Sequence, residues 1–138
     1  MNIGLVSCSK SKLARPCAAR DLYTASPLFR KARAYCERHY DAWYILSAKY
    51  GLVHPDLVIA PYDVTLKTMP QVERRAWGQR VAAQIRQLGH HTFYAHAGEE
   101  YLAHLRGITI VKVLEGCTIG QRLRWYNEQA AEEGWTCP

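Results

Sequence analysis

The chain has no apolar run approaching the roughly 18 residues needed to cross a bilayer. Its opening residues, 1–8, place no basic segment ahead of an apolar stretch, so neither a membrane anchor nor an export signal is expected and a cytoplasmic location follows. It contains no Cys-x-x-Cys and no Cys/His pair at zinc spacing, which leaves no expected metal site. The five cysteines (Cys8, Cys17, Cys36, Cys117 and Cys137) are odd in number and are expected as free thiols. Glycine-rich phosphate loops of the Walker or dinucleotide type are missing, which argues against a triphosphate hydrolase or a nicotinamide enzyme, and no cofactor is expected. Internal repeats, low-complexity segments and linkers are also absent, so residues 1–138 are expected to form a single domain.

With 49% hydrophobic and 22% charged residues, the chain has the composition of a folded globular protein with a substantial core. Its net charge of +6 is unevenly placed. Residues 1–40 carry eight Lys or Arg against Asp21 and Glu37, whereas the remainder carries ten of each sign. A basic segment beside a neutral one favours an anionic partner, a nucleotide, nucleoside or nucleic acid; the competing reading is a solvated, arginine-rich helix face. Lys10, Lys12, Arg15 and Arg20 are expected on one electropositive surface. The sequence leaves the oligomeric state open.

Short apolar runs alternate with helical periodicity. Residues 2–7, 42–46, 92–95 and 108–114 have the length and composition of buried strands. Ser26-Pro27 reads as an N-cap with proline at the first helical position, opening a helix over 27–40. Further helices are expected over 70–88, with Val72, Ala76, Val81, Ile85 and Leu88 inward, over 99–105, and over 118–132, with Leu123, Tyr126 and Ala130 inward. Residues 8–25 and 47–69 are expected as long loops, and 134–138 as a tail. Strands and helices in this alternation predict an α/β fold, a single three-layer domain with a small, mainly parallel sheet flanked by helices.

An open parallel sheet binds ligands beyond the carboxyl ends of its strands, so the residues there are the candidates for function. Strand one delivers Ser7, Cys8, Ser9 and Lys10; strand two delivers Ser47, Lys49 and Tyr50; strand three delivers His96, Gly98 and Glu99. Lysines beside Cys8 favour its thiolate, which makes it a candidate nucleophile; the alternative is a small buried residue where the strand leaves the core. Lys49 and Tyr50, fixed by a turn at Gly51, are candidates for holding a phosphate or carboxylate, against a plain surface ion pair for the lysine. Tyr62 offers a ring for base stacking and Asp63 a carboxylate for a base or ribose; a packed loop anchor is the alternative for the tyrosine. His96 is either an acid–base group or a satisfied, half-buried histidine.

The words Leu46-Ser47-x-x-Tyr50-Gly51-Leu52-x-x-Pro55, followed by Pro61-Tyr62, resemble a segment shared by the YaaA-type peroxide-stress proteins. They resemble more closely a set of short bacterial and phage domains of unassigned function. In that set the resemblance extends to residues 7–12, Leu22-Tyr23-x-x-Ser26, Ala97-Gly98 with Tyr101, and Ile119-Gly120. The YaaA resemblance implies DNA association. Cys8, Lys12, Tyr23 and Ser26 are also similar to a Cys-Ser-x-x-Lys-Pro-Tyr-x-x-Ser run of archaeosine synthases, which implies modification of a deazaguanine base. On this basis Lys12, Tyr23 and Tyr101 join the substrate-binding candidates, and Cys8, Lys49, Asp63 and Glu99 are the catalytic ones. The expected function is an enzyme acting on a nucleobase, nucleoside, nucleotide or nucleic-acid base, by glycosidic-bond cleavage or exchange or by base modification. The alternative is a non-catalytic nucleic-acid-binding stress protein.

Overall fold

The computed structural model describes residues 1–138. In chain order, β1 is Asn2–Ser7, β2 Cys17–Ala18, α1 Ala19–Leu22, α2 Pro27–His39, β3 Ala42–Ser47, β4 Gly51–Val53 and β5 Val58–Ile59. A 3₁₀ turn at Leu66–Thr68 leads into α3 (Gln71–Gln87). Then come β6 (Thr92–His96), α4 (Glu99–Leu102), β7 (Ile110–Lys112) and α5 (Ile119–Glu133).

The main sheet has the order β4-β3-β1-β6-β7, parallel throughout except for β4, which returns antiparallel on β3. The expected α/β class therefore holds. Because successive strand residues face opposite ways, β1 divides its side chains between two cores. Ile3 and Leu5 join Trp77, Val81 and Ile85 of α3 on one face. Val6 joins Phe29, Ala32 and Cys36 of α2 and Tyr126 of α5 on the other. Gly4 also faces α2, where a Cβ would lie 2.7 Å from a Tyr40 ring carbon and 2.8 Å from Cys36 Sγ, so the helix can approach only over a residue without a side chain.

Helix boundaries follow local chemistry. Ser26 accepts from Phe29 N at 3.3 Å with Pro27 at the first helical position, as expected. Thr118 and Gln121 form a reciprocal capping box at α5. The inward face of α3 is carried by Trp77, Gly78, Val81, Ala82 and Ile85. Val72 and Ala76 are exposed, which corrects their expected placement: the buried face of α3 begins at Trp77 and runs through Val81 and Ile85, and the two residues lie off it.

The two expected loops hold more structure than their lack of periodicity implied. β2 and β5 pair antiparallel in a small second sheet, and Ala19, Leu22 and Tyr23 are fully buried. A two-residue strand and a one-turn helix are too short to register as a pattern. The segment after α5 is docked rather than free: Trp135 lies under the Arg38 guanidinium at 4.5 Å, and Lys31 Nζ donates to the Pro138 carbonyl at 3.1 Å. No helix is long and apolar enough to cross a membrane.

Replacing Gly4 by alanine forces a methyl group into the α2 contact. The expected outcome is a destabilisation of about 1–3 kcal/mol, typical of overpacking, read as a lowered midpoint in urea with an unchanged slope; a neutral Gly4→Ala would contradict the close approach of α2 to β1.

Candidate active site

The chain leaves β1 in opposite directions from its two neighbours, reaching β3 through α2 on one face and returning to β6 through α3 on the other. This reversal opens a crevice beyond the carboxyl ends of β1 and β6. A cleft of about 860 Å³ lies there. Its wall holds Cys8 and Lys10 after β1, Gly98, Glu100 and Tyr101 after β6, Asp63 and Lys67 from the segment before α3, and Arg122 from the first turn of α5.

Around Cys8 stands a set of buried phenols. Cys8 Sγ is 3.2 Å from Tyr101 Oη. Tyr62 Oη bonds to Tyr23 Oη at 2.7 Å and to Ser47 Oγ at 2.8 Å, and Ser47 Oγ also accepts from Tyr50 N at 3.0 Å. Burial pushes the phenols of Tyr23, Tyr62 and Tyr101 well above the ordinary tyrosine range, and the neighbouring Cys8 sulfur adds to the shift. These tyrosines stay protonated at neutral pH, so each hydroxyl keeps a proton to donate within the network. The Lys12 ammonium sits 4.3 Å from the Tyr62 ring centroid.

Behind the cleft, a small cavity of about 50 Å³ reaches towards the core between β1, α2 and α5. His96 and Tyr126 form its inner wall and Arg122 lines both spaces. His96 is held on both ring nitrogens, by Tyr40 Oη at 2.8 Å and Tyr126 Oη at 2.7 Å. Burial, with smaller contributions from His39 and Arg122, pushes its pKa down to about 3. His96 is thus a neutral, satisfied core residue, which corrects the acid–base expectation and agrees with the alternative given beside it.

A family model described as "Family of unknown function (DUF6884)" matches residues 3–128. The chain belongs to this family. It is also similar to the uncharacterized protein YfjM of Bacillus subtilis (strain 168), 39% identical over 71 residues that make up 46% of this chain and 47% of that one. The chain thus spans about half the length of the curated relative it matches. No solved structure matches.

Measured against this family member's structure, the sequence-based candidates separate into groups. Ser7, Cys8, Ser9, Lys10, Asp63, Gly98 and Tyr101 all line the cleft. Lys12, Tyr23, Ser47 and Tyr62 form the layer behind it, with Tyr23 and Ser47 fully buried. Lys49, Tyr50 and Glu99, expected to line the same concavity as Cys8, do not. The turn at Gly51, whose φ is 77°, aims Lys49 outward over the Tyr50 ring, and Tyr50 Oη reaches back to the Ala60 carbonyl. Glu99 points to Lys112 at 3.4 Å, and its neighbour Glu100 faces the cleft instead. The Tyr62 ring is covered by Lys12 and flanked edge-on by Tyr50, so it serves as an anchor and not as a stacking platform. The expected electropositive surface is also divided: Lys10 lines the cleft, whereas Arg20 pairs with Asp56 beside the small second sheet.

Arg122, Lys67 and Glu100 were missed. The Thr118-x-x-Gln121 capping signal places the first turn of α5 at the sheet's carboxyl edge and would have pointed to Arg122.

The His96 environment has a consequence for pH. Between pH 6.5 and about 3 the unfolded chain protonates this imidazole while the native protein keeps it neutral, so stability is full above pH 6.5 and falls as pH drops through that window. This group contributes at most about 1.4 kcal/mol of loss per pH unit. In urea titrations, the stability gap between wild type and His96→Gln is expected to narrow as pH is lowered from neutrality; a gap constant with pH would contradict the buried neutral imidazole.

Proposed function

We propose that this protein is an enzyme acting on a nucleobase, nucleoside or nucleotide, or on a base within nucleic acid, by breaking or exchanging a glycosidic bond or by modifying the base. The observation that carries the reading is the convergence of Cys8, Tyr101, Asp63 and Glu100 on one cleft. Its volume of about 860 Å³ lies in the range that encloses a small-molecule ligand. Cys8 is the candidate nucleophile, with the Tyr101 phenol as the donor that orients it. Asp63 and Glu100 are carboxylates placed to exchange a proton with a leaving base or to stabilise an oxocarbenium-like sugar. The resemblance of Cys8, Lys12, Tyr23 and Ser26 to archaeosine synthases, and of residues 46–62 to YaaA-type proteins, supports a base-directed role by analogy.

A second reading, a nucleic-acid-binding protein of YaaA type, is favoured by a separate groove on α3. There Arg75, Arg86, Arg106 and His104 surround about 490 Å³ with no carboxylate in the lining. Such a surface suits a phosphodiester backbone and would bind with steep salt dependence.

Product analysis on nucleosides, mononucleotides and base-modified nucleic acid separates the two. For the enzyme, Cys8→Ser, Tyr101→Phe and Glu100→Gln are each expected to lower turnover roughly ten- to a thousand-fold, as for loss of a positioned acid–base or electrostatic group, with melting temperatures near that of wild type. Salt-sensitive binding to nucleic acid, no product from any of these substrates and no response to the Cys8 variant would replace the enzyme reading with the binding one.

A further inference from the structure

Arg122 is an arginine without a counter-charge. Its Nε is buried and has no hydrogen-bond partner, the single such side-chain atom in the protein. It makes no ion pair with any carboxylate. A guanidinium is always charged, and a donor removed from water and left unpaired costs about 1–3 kcal/mol, more when charged. The surroundings identify what would compensate it. Arg122 lies where the cleft meets the inner cavity, and the residues common to both spaces are Ser7, Cys8, Ser9, Ser26, Leu28 and Arg122. Three serines and one arginine thus line a space whose inner lining contains neither Asp nor Glu; the Ser9 hydroxyl already donates to the Ser11 carbonyl, whereas that of Ser26, which accepts from Phe29 N, keeps its proton, and no bond engages that of Ser7.

We propose that Arg122, with Ser7 and Ser26, forms a subsite for the terminal phosphate of the ligand, so that the substrate of the cleft is a phosphomonoester such as a nucleoside monophosphate. This rests on the nucleoside-directed reading above and specifies it. A guanidinium presents Nε and a terminal nitrogen as parallel donors, which match two oxygens of one phosphate. The inner cavity, at about 50 Å³, has room of the order of a few water molecules. It is closed behind by Phe29, His96 and Tyr126. A terminal group can enter such a dead end, whereas a phosphodiester, which must continue on both sides, cannot pass through it. The neutrality of His96 fits this assignment, since its phenol partners already use both ring nitrogens and leave the anion to Arg122.

The test uses the full chain in phosphate-free buffer, with thermal stabilisation and calorimetry as readouts. Inorganic phosphate is expected to raise the wild-type melting temperature in a concentration-dependent way. At least one nucleoside 5′-monophosphate is expected to bind ten-fold or more tightly than its nucleoside. Arg122→Met should erase that preference while keeping nucleoside affinity, and Arg122→Lys should retain part of it. Without phosphate, Arg122→Met should melt at or above the wild-type temperature, because it removes an uncompensated buried donor. Equal wild-type affinity for nucleoside and monophosphate would overturn the subsite even if neither variant folds. So would tight binding of an oligonucleotide with hydroxyl ends at the same site, or an undiminished preference in Arg122→Met. Loss of nucleoside binding with phosphate stabilisation intact would instead refute the nucleoside-directed reading and leave the anion subsite standing.

Discussion

Ser47 ends β3 as a fully buried polar residue, and three segments satisfy it. Its hydroxyl accepts from Tyr50 N and bonds to Tyr62 Oη, while its carbonyl accepts from Trp77 Nε1 at 2.9 Å. Through Tyr62 the chain of bonds reaches Tyr23. One buried node thereby joins the central sheet, the turn into β4, the segment before α3, the indole of α3 and the residue that follows α1. A buried hydroxyl left unmatched costs about 1–3 kcal/mol, so each segment is held by the penalty that would follow its departure. The cleft is built on this node. Its wall at Asp63 follows Tyr62 directly, and Trp77 packs edge-on against Tyr101 at 5.8 Å.

The electrostatics of the site divide along the same lines. Behind the cleft stand neutral groups, the Tyr23 and Tyr62 phenols that burial keeps protonated and the neutral His96 imidazole. Charged side chains line the cleft itself: Lys10, Lys67 and the unpaired Arg122, and the carboxylates of Asp63 and Glu100. Neutral donors in a desolvated layer orient a reacting group without competing for its counter-ion. The charged groups stand where water or a ligand reaches them, which is where the proposed reaction would use them for attraction and proton exchange. The sulfur of Cys8 sits at the boundary between the two sets, in contact with a buried phenol and in the wall of the open cleft.

Much of this arrangement was legible in the sequence, for definite reasons. Strands β1, β3 and β6 are apolar runs of strand length, and the Ser26-Pro27 cap states where α2 begins, so the parallel sheet and the carboxyl-edge location of Cys8 and Gly98 follow from local pattern. Direction was harder to read than position. Glu99 and Glu100 are adjacent at the start of a one-turn helix, where a single residue of rotation decides which carboxylate faces the cleft, and no periodicity records it. Lys49 and Tyr50 were assigned to the site because they follow a strand, but that strand turns back into antiparallel β4, which carries them to the outside. The segments 8–25 and 47–69 read as loops because their order comes from long-range pairing, as of Cys17 with Ile59, and from tyrosine hydroxyls whose partners lie 15 and 39 residues away.

The central claim is that the cleft between the carboxyl ends of β1 and β6 is where this protein meets its ligand. Chemical-shift mapping of the isotope-labelled protein with a nucleoside 5′-monophosphate tests it most directly. The account predicts saturable changes at Ser7, Cys8, Ser9, Gly98, Tyr101 and Arg122, with the Lys49 turn unaffected. Saturable changes confined to the α3 groove around Arg75, Arg86 and Arg106, with the cleft resonances unmoved, would contradict it.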